Sequence, residues 1–290
     1  MAIRTLTDFI QTDLIVGMLI DTLDKNLVAN QVIDVTSQPT LGMGSSYKIP
    51  GVGNFTVVDY TTSANVTMQN GTDTAAFIYI DKFKGIPYKI DAVDIYEASA
   101  LNLAAVMANR VGLDLATYID ADIFSAIYQG ATSAANLGYS TSAISIATDT
   151  DAIDYIEEFA MQLAEANVNS DVAMVIPPFL SKKLTTALAR TVRNDALAGS
   201  IVNYSYVGDL YGISLYESNN TPKGTAGGLT VGEYSVIAGR RSSFHYVSGL
   251  TYVDSGKSEN GAYTYNHNSQ SWGRGFSQPL AWYRGVVKKA

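Results

Sequence analysis

The stretch from Glu97 to Gln129 runs for 33 residues without proline. Its small residues and its apolar positions at steps of three and four predict one continuous helix. Helices of globular domains average about 12 residues, and at a rise of about 1.5 Å per residue this one would reach about 50 Å. Leu101, Ala105, Ala108, Gly112, Leu115, Ile119, Ile123 and Ala126 fall near one stripe, whose small side chains require close approach by whatever packs there. Gly112 keeps open a pair of shorter helices in series, because glycine costs about 1 kcal/mol relative to alanine inside a helix. A helix that outgrows its own domain acts as a strut, and a strut implies an assembly.

Composition points the same way. The 290 residues carry a net charge of -8 with 16% charged and 47% hydrophobic residues, which describes a folded chain with a sparsely charged surface. Such a surface is expected to be covered in part by other subunits. Nineteen tyrosines against nine phenylalanines suit half-dry contacts, where a ring is buried and a hydroxyl stays wet. Cysteine is absent, which excludes disulfides and thiolate chemistry. No stretch reaches the roughly 18 apolar residues of a membrane span, and no basic segment precedes an apolar run with a small-residue cleavage site, so neither secretion nor membrane insertion is expected.

Along the chain, Thr7 to Asn30 reads as an amphipathic helix with Ile10, Leu14, Met18 and Leu23 on its apolar side, either packed at home or lying on a neighbouring subunit. Val32 to Lys84 is turn-rich, with strand candidates Tyr47 to Ile49, Phe55 to Tyr60 and Phe77 to Ile80. This pattern predicts a long hairpin that is marginal alone and needs support from another chain. After the long helix comes a small-residue loop, Ala131 to Thr148. A helix from Asp151 to Ala166 is then capped by Asp149 or Thr150, and Asp171 to Ile176 forms a strand. Pro177 and Pro178 end that strand and open a helix from Phe179 to about Arg190. Strands follow at Val207 to Tyr216, Glu233 to Ala238, Phe244 to Val253, Ala262 to Tyr265 and Leu280 to Val287. This order predicts an α+β chain with a small mixed sheet carrying helices.

The residues that could carry chemistry are scattered. His245 and His267 lie in no metal-ligand spacing. The acidic pairs Asp91 with Asp94, Asp120 with Asp122, Asp149 with Asp151 and Glu157 with Glu158 read as solvated helix ends or caps, although Asp91 and Asp94 could share a helical face and bind a divalent cation. Gly42-Met43-Gly44 and Gly51-Val52-Gly53 lack the following helix and lysine of a phosphate loop. Ser242 and Ser243 sit in no nucleophile elbow. Lys182, Lys183, Arg190 and Arg193 form the densest basic group, a solvated helix face or a contact for an acidic neighbour. No catalytic residue, cofactor or metal site is expected.

Val172-Ala173-Met174-Val175-Ile176-Pro177-Pro178-Phe179-Leu180 and Val207-Gly208-Asp209-Leu210-Tyr211-Gly212-Ile213-Ser214-Leu215-Tyr216-Glu217-Ser218-Asn219-Asn220, taken with the order of elements, resemble the major capsid proteins of tailed double-stranded DNA bacteriophages, the HK97-like coat fold. The resemblance implies an N-terminal arm over 1–35, an extended hairpin or E-loop over 36–83, and a peripheral domain with the spine helix over 84–130. It further implies an axial domain over 131–261 and a C-terminal return to the peripheral domain over 262–290. It implies a shell subunit that forms hexamers and pentamers, with arm and E-loop overlapping neighbours. On this basis inter-subunit contacts are expected at Ile10, Leu14, Met18, Lys48, Phe55, Tyr60, Phe77 and Arg193.

Further expectations follow from the same likeness. Separate scaffolding, portal and decoration proteins are partners by implication, double-stranded DNA lies near the subunit without specific contact, and the place of work is the virion capsid after assembly in the host bacterial cytoplasm. An acidic coat avoids gripping packaged DNA through released counterions. Some relatives carry a removable region of roughly one hundred residues before the arm, whereas here the arm is expected to begin almost at Met1, which implies a separate scaffold or none; some relatives also crosslink an E-loop lysine, and Lys48, Lys82 and Lys84 are near the loop, but no activating glutamate can be assigned. Two alternatives stand beside this reading: an encapsulin-type bacterial nanocompartment shell, which shares the fold, and a metal-dependent enzyme, which would require Asp91, Asp94 or His245 to converge.

Overall fold

The computed structural model describes residues 27–38, 40–51, 70, 73–91, 100–139, 142–191, 206–257 and 263–290. Among them the long helix, α2 (Ala100–Gly130), is continuous for 31 residues and passes through Gly112 unbroken. Its length is about 46 Å. A one-turn helix, α1 (Ala29–Val32), precedes it in the chain.

The buried positions of α2 come in adjacent pairs every four residues: Val111 and Gly112, Leu115 and Ala116, Ile119 and Asp120, Ile123 and Phe124, Ile127 and Tyr128. Four residues advance a helix by about 400°, so each pair sits about 40° further round than the last. Over the five pairs the buried strip turns through roughly 160°, enough to face two different surfaces. Those surfaces are two sheets.

The first sheet has five strands: β1 (Asp34–Ser37), β2 (Ser46–Ile49), β3 (Ala76–Asp91), β10 (Phe244–Lys257) and β11 (Tyr263–Phe276), in the order β1-β10-β11-β3-β2. β1 lies parallel to β10, with Asp34 opposite His245, and the remaining pairs are antiparallel. Trp272 of β11 is wholly buried against α2, its ring edge-on to Tyr118 at 6.1 Å. On the opposite face Ile78, Ile80 and Val247 form a small core covered by Leu41, Tyr47 and Ile49.

The second sheet runs β4-β12-β9-β6-β8-β7, with β5 also on β12. Its strands are β4 (Thr132–Ser133), β5 (Ile144–Ile146), β6 (Val172–Ile176), β7 (Tyr206–Leu210), β8 (Ile213–Glu217), β9 (Glu233–Arg240) and β12 (Trp282–Lys289). β6 is buried at all five positions, as expected of a continuous apolar run inside a sheet. Helices α3 (Asp149–Glu165) and α4 (Pro178–Thr191) pack on each other and supply a second core with Ile156, Phe159, Leu163, Leu180 and Leu184.

Local chemistry accounts for most boundaries. Thr148, not Asp149 or Thr150, caps α3: its hydroxyl accepts from the Asp151 N–H while the Asp151 carboxylate accepts from the Thr148 N–H, a reciprocal capping box. These bonds hold the Asp151 carboxyl below the usual range. Pro178 is the first residue of α4, and the Pro177 carbonyl accepts from Leu180 and Ser181. The strand expected over Val207 to Tyr216 is a hairpin, β7–β8, because Tyr211 at φ 52 and Gly212 at φ 78 form its turn, the two-residue geometry that matches strand twist.

Other expectations are corrected. Thr36 and Ser37 pair with Val247 and Ser248, and β3 continues past Phe83 to Asp91 along β11, so 36–83 is not wholly outside the body. β10 lies within 131–261 yet pairs with β11 and β1, and β12 lies within 262–290 yet joins the second sheet. The stretch Ala131 to Thr148, expected as a loop, contributes β4 and β5, both parallel to β12. Each correction concerns pairing between distant segments, which alternation along one segment does not encode.

Candidate functional site

The hairpin of β2 and β3 presents two unlike faces. In its register Lys48 sits opposite Phe77 and Ser46 opposite Tyr79. Ile78 and Ile80 point into the small core, whereas Phe77 is 54% and Tyr79 63% exposed. Two large rings left outside on one short face form an apolar patch for another surface to cover. Lys48 Nζ bonds Asp73 Oδ2 at 2.8 Å; that bond, with the Ala75 N–H, draws the Asp73 carboxyl below its ordinary range. Both partners are exposed, so the pair orders the stem and adds little stability.

A second exposed group lies farther along the same sheet. Phe83, Tyr252, Tyr263 and Tyr265 are each more than one third exposed, on adjacent strands β3, β10 and β11. A Cβ at Gly256 would meet the Tyr265 ring and one at Gly85 would meet His267 and Ser269, so the two glycines let those side chains lie close over the sheet. Lys89 stands 5.5 Å over the Tyr263 ring. This distal face and the hairpin stem are separated along β3, the stem pairing at 76–79 and the rings lying beyond residue 82.

Of the eight residues expected at subunit contacts, Lys48 and Phe77 therefore lie side by side on one exposed face. Ile10, Leu14, Met18, Phe55, Tyr60 and Arg193 lie outside the described residues. Lys183, from the basic group, donates to the Ala147 carbonyl.

What ties the elements together was not apparent from motifs. Asp120 of α2 is 1% exposed. Its two carboxylate oxygens accept from the N–H groups of Val28 and Ala29, each at 3.1 Å, and so anchor the segment leading into β1. Burial pushes its pKa up to about 6, against the opposing pull of those two bonds and of Asn220. Two residues on, Asp122 turns to the first sheet, accepting from Trp272 Nε1 at 3.0 Å and Arg274 Nη2 at 2.8 Å. Arg284 of β12 donates to the Tyr128 carbonyl at 2.9 Å and lies 5.0 Å over its ring. The carboxylates of Asp120 and Asp122 thus diverge.

Glu157 and Glu158 do likewise. Glu158 accepts from Asn136 and Glu157 from Tyr211, while Asp151 accepts from the Thr148 N–H in the capping box of α3. Among the described residues no group of three potential metal ligands forms. Asp94 lies outside them, and Asp91 and His245 stand opposite Tyr263 and Gly275 respectively, about 40 Å apart along β11 at the usual strand rise.

His245 has a geometry worth testing for catalysis. Its Nδ1 is 3.0 Å from Asp34 Oδ2 and its Nε2 3.0 Å from Ser277 Oγ, an acid, an imidazole and a hydroxyl in line. Acyl transfer also needs N–H donors where the oxyanion forms. Here the N–H groups of Ser277 and Gln278 both donate to the Ser243 carbonyl, and Ser277 Oγ itself faces the carbonyls of Ser242 and Ser243. The site would repel a developing negative charge. The three residues instead tie β1 to β10 and to the turn after β11.

No protein-family model and no curated protein sequence matches the chain. Solved structures do. A structure from Mycobacterium phage Che8 superposes with a TM-score of 0.62 at 21% identity, covering 83% of this chain and 84% of that one. The capsid of the cyanophage P-SCSP1u gives 0.61 at 19% identity over 92% and 89%. A virus-like particle from Pyrococcus furiosus gives 0.54 at 13% identity over 94% and 96%. A mixed α+β fold is thus matched over most of its length by phage capsid structures: the chain has a phage-capsid fold.

Proposed function

We propose that the protein is the major coat subunit of a tailed-phage head, assembling through hexamers and pentamers into a closed icosahedral shell around double-stranded DNA. The observation that carries this reading is the extent of the likeness: capsid subunits are matched over nearly their whole length as well as that of this chain. In this reading α2 with β10, β11 and the second half of β3 is the peripheral domain and the second sheet with α3 and α4 the axial domain. Residues 1–35 are the arm, and 36–83 the extended loop whose stem carries Lys48, Phe77 and Tyr79. The exposed rings of that stem support contact with a neighbouring subunit. The subunit works in the virion by packing rather than catalysis, after assembly in the host cytoplasm with separate scaffolding and portal proteins, decoration proteins being further partners.

Such a shell is held by many modest contacts, each contributing about 25 cal/mol per Å² of apolar area before ordering costs are subtracted. A net charge of -8 suits a wall that DNA lies against without being gripped. Electron microscopy of the protein expressed alone, and then with its neighbouring gene products, tests the proposal. Closed icosahedral particles that take up DNA support it, persistent monomers in both preparations overturn it, and shells filled with protein cargo favour a nanocompartment instead.

A further inference from the structure

We propose that Asp120 is a proton-operated latch on the segment 27–33: the segment stays seated on α2 while the Asp120 carboxyl carries a proton, and loosens when that carboxyl ionises. Residues 1–26 join the fold through this segment, so the latch sets how firmly they are rooted. It is a property of the single chain and does not rest on the shell reading.

The carboxylate stands where three elements meet. From the segment, the N–H groups of Ala29 and Val28 donate to Oδ1 and Oδ2, each at 3.1 Å. From the loop after β8, the Asn220 amide lies 3.5 Å from Oδ2, and α2 supplies the residue itself. Leu27, Ala29, Val32 and Ile33 are buried in the core beside it. An enclosed charge costs more than a few neutral donors return, so burial outweighs the bonds and raises the carboxyl to about 6. Lifting the segment admits water to the carboxylate and removes that cost, so ionisation and release favour each other. In its acid form the carboxyl keeps an acceptor oxygen for the backbone, and its O–H is met by the Asn220 side-chain oxygen once that amide turns over.

On its far side the segment is lightly held. Asn30, Gln31 and Ile33 border a cleft of about 360 Å³ instead of packed protein. Asn30 Oδ1 is enclosed with no hydrogen-bond partner among the described residues, a cost that release relieves. Among the described residues no charged side chain acts on Asp120. Asp122 turns to Trp272 and Arg274, Arg284 and Glu233 act on Tyr128, and Arg241 lies across the cleft over the Tyr216 ring. The other titratable pair along this stretch is Asp34, next after Ile33, with His245 Nδ1 at 3.0 Å. With the carboxyl at about 6 when the segment is seated and at the ordinary 3.8 when it is freed, the ratio of seated to released segment falls about tenfold from pH 5 to pH 7.

The test is native-state hydrogen exchange of the unassembled full-length chain, read by NMR and corrected for the intrinsic exchange rate at each pH. The Val28 and Ala29 amides are expected to be about tenfold better protected at pH 5 than at pH 7. At both they should be less protected than the amides of Ile156 in α3 and Val175 in β6, which report opening of the whole fold. Asp120→Asn is expected to abolish the pH dependence at Val28 and Ala29. In the parent chain, the ¹³C shift of the Asp120 carboxyl should titrate near pH 6, a readout that needs no variant. Four results would each overturn the proposal: a carboxyl midpoint near 4, equal protection at the two pH values, or Val28 and Ala29 opening only together with Ile156, and lastly a pH dependence that survives in Asp120→Asn and so belongs to Asp34 and His245.

Discussion

Asparagine at position 120 makes the energetic role of the buried carboxylate measurable. Its folded pKa, about 6, stands about two units above the ordinary 3.8, and each unit corresponds to about 1.4 kcal/mol. Ionised Asp120 therefore costs the folded state about 3 kcal/mol at neutral pH relative to a solvated carboxylate. The sign follows from proton binding. Between pH 3.8 and about 6 the folded chain holds a proton at Asp120 that the unfolded chain has released, so this residue's contribution to stability is fully present below the window and is lost as pH rises through it. Asp120→Asn cannot titrate; it gives up one of the two backbone bonds, worth about 1 kcal/mol, and escapes the ionisation cost. The variant should be less stable than the parent by about 1 kcal/mol near pH 4 and more stable by about 2 kcal/mol at pH 7. Urea unfolding of unassembled subunits at four pH values between 4 and 7.5 reads the difference directly. A difference that stays constant across the series would refute the reasoning.

Four further outcomes are expected. Leu115→Asp places a carboxylate at a position 2% exposed and should prevent folding, through a lost core side chain worth roughly 2–5 kcal/mol together with an unpaired buried charge; unchanged particle yield would mean that this helix face is not core. Asp122→Ala removes the acceptor of Trp272 Nε1 and of Arg274 Nη2, leaving Arg274 its bond to the backbone carbonyl of residue 122, and should lower unfolding free energy by about 3 kcal/mol in denaturant melts. The double change Phe77→Ser with Tyr79→Ser removes the exposed rings of the hairpin stem; the subunit's melting temperature should stay within a few degrees while closed shells disappear from micrographs. Thr148→Ala removes the hydroxyl of the capping box and should cost about 1 kcal/mol, seen as a lower urea midpoint with an unchanged slope.

Much of the helical part of this fold could be read locally. The long helix was expected over Glu97 to Gln129 and is described as Ala100–Gly130, because absence of proline and a steady apolar spacing are properties of one segment. Pro177 and Pro178 marked the passage from β6 to α4 for the same reason. β11 escaped the reading: its middle, Asn266-His267-Asn268-Ser269-Gln270-Ser271, shows no apolar alternation, yet Asn268, Ser269 and Ser271 are wholly buried. Its place in the sheet is set by β10 on one side and β3 on the other, and propensity yields to such a context. Likewise Lys82, Lys84, Gly85 and Pro87 disguised the second half of β3. At the candidate surfaces, Lys48 and Phe77 were accessible to strand alternation. Asp120 left a legible signal, an aspartate four residues from Ala116 and Phe124 on the apolar stripe. The pairing of Asp122 with Arg274 spans 152 residues and leaves none.

The turning of the buried strip on α2 has a mechanical consequence. A helix seated on a single sheet can roll or slide by small repacking steps. Here Asp122 is bolted to β11 through Trp272 and Arg274, and the Tyr128 backbone to β12 through Arg284, on sides of the helix that differ in azimuth. Rolling to ease one seat pries the other open, so torque on either sheet passes to the other undiminished, as through a keyed shaft. The soft deformation left to the subunit is flexure of the shaft itself, and a subunit of this build yields to stress from its surroundings by bowing rather than by coming apart at the joint between its two sheets.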